Sequence, residues 1–187
     1  MSTVKLLMHD AINPCACEGG WRVRNILWSR RYFSVRELIV LYKSHVLSYI
    51  EFRTPAISHA SSSALSTLDN VQHRFLRILG VSEEEALVRF SLAPLASRRD
   101  IAILGLIHRT ALGLGPAMFN NFFRIDSSPP PPRRSLRSSA SRRHARHLVN
   151  PCGASTPDFL LRSSFGATRL DNILPDYIIS RRSVQEF

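Results

Sequence analysis

Cysteine is scarce in this 187-residue chain: Cys15, Cys17 and Cys152 are the whole complement. Three thiols cannot build a disulfide framework, and Cys-x-Cys is badly spaced for a structural bridge or a closed zinc site. Reduced thiols in an intracellular protein, nuclear or cytoplasmic, are the expectation. Acids are few as well, 14 against 25 Lys and Arg. The seven aspartates, Asp10, Asp69, Asp100, Asp126, Asp158, Asp171 and Asp176, stand singly, whereas polymerases and nucleases converge two or three carboxylates on divalent metal. Glu83, Glu84 and Glu85 fall in the first turn of an expected helix, where acids favour the dipole. Long apolar runs are missing too. The start offers only Leu6-Leu7 before Met8, His9 and Asp10, so no secretory signal is visible, and Lys5 with Asp10 does not suit a mitochondrial presequence. The most apolar window, 101–119, is broken by His108, Arg109, Gly113, Gly115 and Pro116, unlike a membrane span of ~20 apolar residues. No Gly-x-Ser-x-Gly and no strand-borne phosphate loop occur. His144-x-x-His147 with Cys152 lacks a fourth ligand at zinc spacing. Neither a cofactor nor a metal is expected.

What is present is enough for a core: apolar types make up 44% and charged types 21%. Residues 1–27 show no sustained period and are punctuated by Pro14 and Gly19-Gly20, so an irregular N-terminal segment is expected. Ser34 and Glu37 then form a capping box, followed by Val35, Leu38, Ile39, Tyr42, Val46 and Tyr49 at helical spacing. Pro55 ends that helix. The next one starts among Ser61, Ser62 and Ser63, buries Leu65, Leu68, Val71, Phe75, Ile78 and Leu79, and stops at Gly80. Its polar face carries Gln72, His73, Arg74 and Arg77. Ser82 and Glu85 open a short helix with Ala86, Leu87 and Phe90. Pro94 introduces the longest apolar helix, expected near the centre of a bundle, and Gly113 and Gly115 close it. Pro116 starts a short piece with Met118, Phe119, Phe122 and Phe123. Alternation of strand type is absent, so 28–123 reads as a small all-α helical bundle.

The net charge of +11 is unevenly placed. Residues 124–150 hold seven Arg against one Asp, and four consecutive prolines, Pro129 to Pro132, precede Arg and Ser in alternation. Residues 124–157 are therefore expected to be a basic linker with local polyproline character. Arg133, Arg134, Arg137, Arg142, Arg143 and Arg146 are close enough together to neutralise several phosphates; a charge-extended, solvated linker is the plainer alternative. Order is expected again at 158–187, a partly helical C-terminal segment with Phe159, Leu160, Leu161 and Ile173. Ser183 and Glu186 would open one more helix, with the chain ending at Phe187, which suggests a truncated reading frame.

Three stretches recur in a familiar order: LIVLYKSHVLSYIEFRTPAI (38–57), LSTLDNVQHRFLRILGVSEEEALVRFSLAPLASRRDIAILGLIHR (65–109) and FLLRSSFGATRLDNILPDYIISRRSVQEF (159–187). Together they resemble the region after the catalytic palm in reverse transcriptases of non-LTR, LINE-type retrotransposons. The likeness covers about 35–123 and 159–187 and lies in the sequence of segments: a Leu-Tyr-Lys-Ser-His-Val helix, a Val-Gln…Arg-Phe-Leu-Arg helix, then an Ala-Pro-Leu…Arg-Arg-Asp turn into a long apolar helix. The polymerase signature, an aromatic-Ala-Asp-Asp hairpin, has no counterpart, and no complete endonuclease or ribonuclease H carboxylate set fits. The resemblance thus implies a thumb-like helical region that helps hold a template–primer duplex, with no catalytic residue to carry over. Arg74 and Arg77 are its first candidates for backbone contact, and a palm domain is its missing partner.

Three functional readings follow. The first is a catalytically inert fragment of such a polymerase. The second is a free-standing basic nucleic-acid-binding protein working through the Arg/Ser linker. The third is a helical interaction module presenting Met118, Phe119, Phe122 and Phe123.

Overall fold

The computed structural model describes residues 9–126, 146–152, 156, 161 and 163–180. The chain divides into two compact units, Met1–Asp100 and Ile101–Phe187. Among the described residues the regular structure is helical, and the one β feature is an isolated antiparallel bridge between Ile125 and Leu148. The fold is all-α.

The first unit opens with a correction. From His9 onward the segment expected to be irregular is a helix, α1 (His9–Trp28), which contains Pro14, Gly19 and Gly20. These three residues disfavour a helix by about 5 kcal/mol in sum. Burial offsets that cost: Ile12, Cys15, Ala16, Val23 and Ile26 recur at helical spacing and are buried. Each larger member of that stripe contributes about 1.5–3 kcal/mol. The stripe is faint in the sequence because its middle is made of Cys, Ala and Gly. At Gly19 a Cβ would stand 3.5 Å from Val71 and 3.6 Å from Ile50, ordinary van der Waals contact, so this position faces the packed side of α1 and has room for an alanine.

After a 3₁₀ turn (Ser29–Arg31), α2 (Val35–Tyr42) begins as expected. The Ser34 hydroxyl accepts the Glu37 N–H, and the Glu37 carboxylate accepts the Ser34 N–H at 2.7 Å. A π turn, Lys43–Leu47, then joins α2 to α3 (Ser48–Phe52). Its extra residue rotates the helix face. Leu47 and Ile50 therefore enter the core, while Tyr49 is half-buried beneath the guanidinium groups of Arg22 and Arg53. The helix breaks at Arg53, ahead of Pro55, and a single turn, α4 (Thr54–Ile57), follows.

Helix α5 (Ser62–Leu79) is capped by Ser61 and closed by Gly80 at φ +71°, a left-handed position suited to glycine. Ala64, Leu68, Val71, Phe75 and Leu76 are buried, and the Phe75 ring stacks on Tyr42 with centroids 4.4 Å apart. Leu65 and Leu79 are only half-buried, and Ile78 is exposed. Gln72, expected on the polar face, is buried instead; its Nε2 donates to the Ala93 carbonyl at 3.1 Å. Helix α6 (Glu83–Phe90) has half of its expected capping box: the Ser82 hydroxyl accepts the Glu85 N–H.

Helix α7 (Leu95–Ala111) is the longest apolar helix expected after Pro94. The division between the units falls within it, and Ile101 is 62% exposed. Its first turns are tied to the first unit by two ion pairs. Arg98 pairs with Glu51 of α3, and Arg99 holds Asp69 of α5 in a bidentate grip at 2.7 and 3.0 Å. The Arg-Arg-Asp turn is therefore a structural clamp.

In the second unit Ile107, Phe123 and Leu148 form a small core, with Ile103, Ala111, Phe119, Phe165 and Ala167 packed against it. Helix α7 ends as expected at Gly113, φ +76°, and a 3₁₀ turn (Ala117–Phe119) follows. The supposed linker is structured at both ends. The Asp126 N–H donates to the His147 carbonyl at 2.7 Å and the Val149 N–H to Arg124 at 2.9 Å. The Asn172 side chain brackets the Leu148 backbone, accepting its N–H at 2.8 Å and donating to its carbonyl at 2.9 Å. Asn172 follows α8 (Ser164–Asp171), and α9 (Asp176–Ile179) comes after it. Leu148 accounts for this order, and a lone Leu148-Val149 pair beside an Arg/Ser tract carries no period. Phe159, Leu160 and the Ser183–Glu186 capping box lie outside the described residues.

Candidate nucleic-acid interface

Helix α5 presents a stripe of Ser63, Ser66, Asn70, Arg74 and Arg77, spaced three or four residues apart and all exposed. None of the residues three or four positions from Arg74 or Arg77 is acidic. Neither guanidinium has an acidic partner among the described residues. The nearest acids along the chain are engaged: Asp69 by Arg99, and Glu83 by His73 at 3.0 Å. Two cations thus face solvent together on a rigid helix whose opposite face is anchored in the core.

Helix α1 runs against α5, and the two enclose a groove of about 650 Å³. Asn13, Cys17, Trp21 and Arg24 line it from α1, and Thr67, Asn70 and Arg74 from α5. No lining residue is acidic. At Gly20, on the groove wall, an added Cβ would meet nothing within 4 Å, so the space above it is open. Trp21 is 57% exposed and Trp28, seven residues further along the same helix, 75%. Arg24, Trp21 and Trp28 do not stand out in the sequence because Pro14, Gly19 and Gly20 mask the helix that carries them. Once α1 is known, the spacing 21, 24, 28 puts them on one face.

Of the linker arginines, Arg133, Arg134, Arg137, Arg142 and Arg143 lie outside the described residues. Arg146 is half-buried, and its guanidinium donates to the Ile179 carbonyl at 3.1 Å, so it is drawn into the second unit rather than left wholly to solvent. The aromatic patch of the third reading is likewise partly consumed. Phe123 is buried, Phe119 packs beside it, and Phe122 meets Phe165 edge-on at 5.1 Å; Met118 stays exposed.

Of the three thiols Cys17 is exposed, and Cys15 and Cys152 are buried. Burial pushes the Cys15 thiol above its ordinary value, partly offset by Arg53. Burial, reinforced by the Glu51 carboxylate, holds the Tyr42 phenol far above its usual range. Among the described residues no three of His, Cys, Asp and Glu gather where they could hold a metal ion, and no helix is long and apolar enough to cross a membrane. No protein-family model matches the chain, and neither does any curated protein or solved structure.

Proposed function

We propose that this chain is the thumb-like and following region of a LINE-type reverse transcriptase, one that holds a nucleic-acid duplex and leaves chemistry to a palm it does not contain. The paired exposure of Arg74 and Arg77 on α5, neither held in an ion pair among the described residues, carries this reading. Contacts of this kind grip phosphates without reading sequence. The roles of the family-like segments agree with it: Leu-Tyr-Lys-Ser-His-Val spans the turn that brings Val46 and Leu47 into the core, and Arg-Arg-Asp clamps α7 to α3 and α5. These segments build a scaffold, and α5 projects the grip from it. The protein is expected to work inside the cell, with template–primer nucleic acid as its partner.

The test uses the full chain and a blunt RNA–DNA hybrid in a gel-shift assay, with a primed RNA template, nucleotides and magnesium in parallel. The expected results are hybrid binding that weakens when Arg74 and Arg77 are both replaced by Gln, and no nucleotide incorporation. Robust synthesis, or hybrid binding indifferent to the double replacement, overturns the reading. Loss of binding only when the six linker arginines are changed to Gln would instead favour a free-standing basic protein.

A further inference from the structure

We propose that the α1–α5 groove is a binding site for single-stranded nucleic acid, in which unpaired bases stack on Trp21 and the backbone lies against Arg24 and Arg74. The site is distinct in chemistry from the duplex grip, though it shares Arg74, and it rests on the nucleic-acid reading only through that residue.

Three observations converge on it. An exposed indole offers a flat apolar surface, and a base offers its own face for stacking only when it is out of a duplex. Trp21 lies at the groove with most of its surface open, and Trp28 follows about 10 Å further along the same helix face. Between them in sequence stands Arg24, and Arg74 lines the same groove from α5. The lining therefore carries two guanidinium groups and no carboxylate, which favours an anionic strand over an acidic-and-basic protein surface. Asn13, Thr67 and Asn70 add amide and hydroxyl groups that can donate to or accept from sugar and base edges.

The open wall at Gly20 fits the same picture. Gly20 costs α1 about 1 kcal/mol relative to alanine. Packing does not require it, because a Cβ there would meet nothing within 4 Å. A groove kept clear at the expense of helix stability is expected where something else fills it.

The two indoles of the chain, Trp21 and Trp28, make its intrinsic fluorescence a direct readout. The probe is an oligouridylate of about 12 nucleotides, spanning several stacking positions. Binding should quench tryptophan emission, weaken steeply with salt, and protect the groove cysteine, Cys17, from maleimide. Trp21→Ala should weaken binding about tenfold, in the range of one lost base–aromatic stack. Gly20→Leu, which leaves every charge and both indoles in place, should weaken it comparably by filling the groove, with a circular dichroism melt that rises by about 4–8 °C as the helix loses its glycine.

An oligonucleotide that binds equally well to wild type, Trp21→Ala and Gly20→Leu overturns the proposal. So does an emission change that follows protein concentration rather than oligonucleotide, which would assign this face to a second copy of the chain. Hybrid binding lost in Arg74→Gln/Arg77→Gln but unaffected by Gly20→Leu, together with no quenching by the single strand, would sink the groove proposal and spare the duplex reading. Quenching by the single strand in a chain that ignores the hybrid would do the reverse.

Discussion

Replacing Arg99 by alanine tests how the first unit is clamped. The Arg99 side chain is 8% exposed and its partner Asp69 21%, and two hydrogen bonds join them. Removing the cation leaves a carboxylate that is largely out of water with no countercharge. Breaking such a pair costs about 3–5 kcal/mol, and the partial exposure of Asp69 places the value near the lower end. For a unit of roughly 100 residues, each kcal/mol moves Tm by about 4–8 °C, so a fall of about 12 °C or more is expected in a thermal melt followed by helical ellipticity. The double variant Asp69→Leu/Arg99→Met removes both charges and restores apolar volume; it should return to within about 1 kcal/mol of wild type. An Arg99→Ala loss under about 1 kcal/mol, or a double variant as unstable as the single, would refute the view that this motif is a buried clamp.

Other perturbations follow from the same structure. The Tyr42 hydroxyl is buried with no hydrogen-bond partner among the described residues, a cost of about 1–3 kcal/mol, so Tyr42→Phe should keep the stack on Phe75 and raise urea-unfolding stability by about 1 kcal/mol. Glu37 is held below its ordinary value first by the Ser34 N–H and then by the Ser34 hydroxyl. Its folded value being depressed, the stability it adds is present above the usual glutamate range and is lost as pH falls through the folded value; Glu37→Ala should lack that segment of the acid titration. Of the three thiols, Cys17 is exposed while Cys15 and Cys152 are buried, so one equivalent of maleimide should react quickly in native protein and two more only after unfolding.

The parts legible in the sequence were those where local chemistry and tertiary packing agree. Ser34 with Glu37 marked the start of α2, and Gly80 marked the end of α5, because caps act within a single turn. The Arg74 and Arg77 face was readable for the same reason, since an exposed stripe is set by helical period alone. Helix α1 was hidden because Pro14 and two glycines argue locally against it, while the decisive term is burial of Ile12, Val23 and Ile26 against distant elements. Its outer face, with Trp21 and Arg24, was hidden along with it. The π turn at Lys43–Leu47 moved the buried positions by one, a shift that apolar spacing does not report. Gln72 illustrates the remaining gap: an amide reads as surface until the Ala93 carbonyl that receives it is located. Leu148 and Asn172 are similar, their pairing being a long-range match that leaves no trace in either neighbourhood.

The grip itself is tested most directly by the salt dependence of hybrid binding, measured by fluorescence anisotropy for wild type and for the Arg74→Gln/Arg77→Gln variant. Each phosphate neutralised contributes about 0.9 to the slope of log K against log salt, so losing both arginines should flatten that slope by about 1.8 and weaken binding across all duplex sequences alike. Identical slopes and affinities for the two proteins would contradict it.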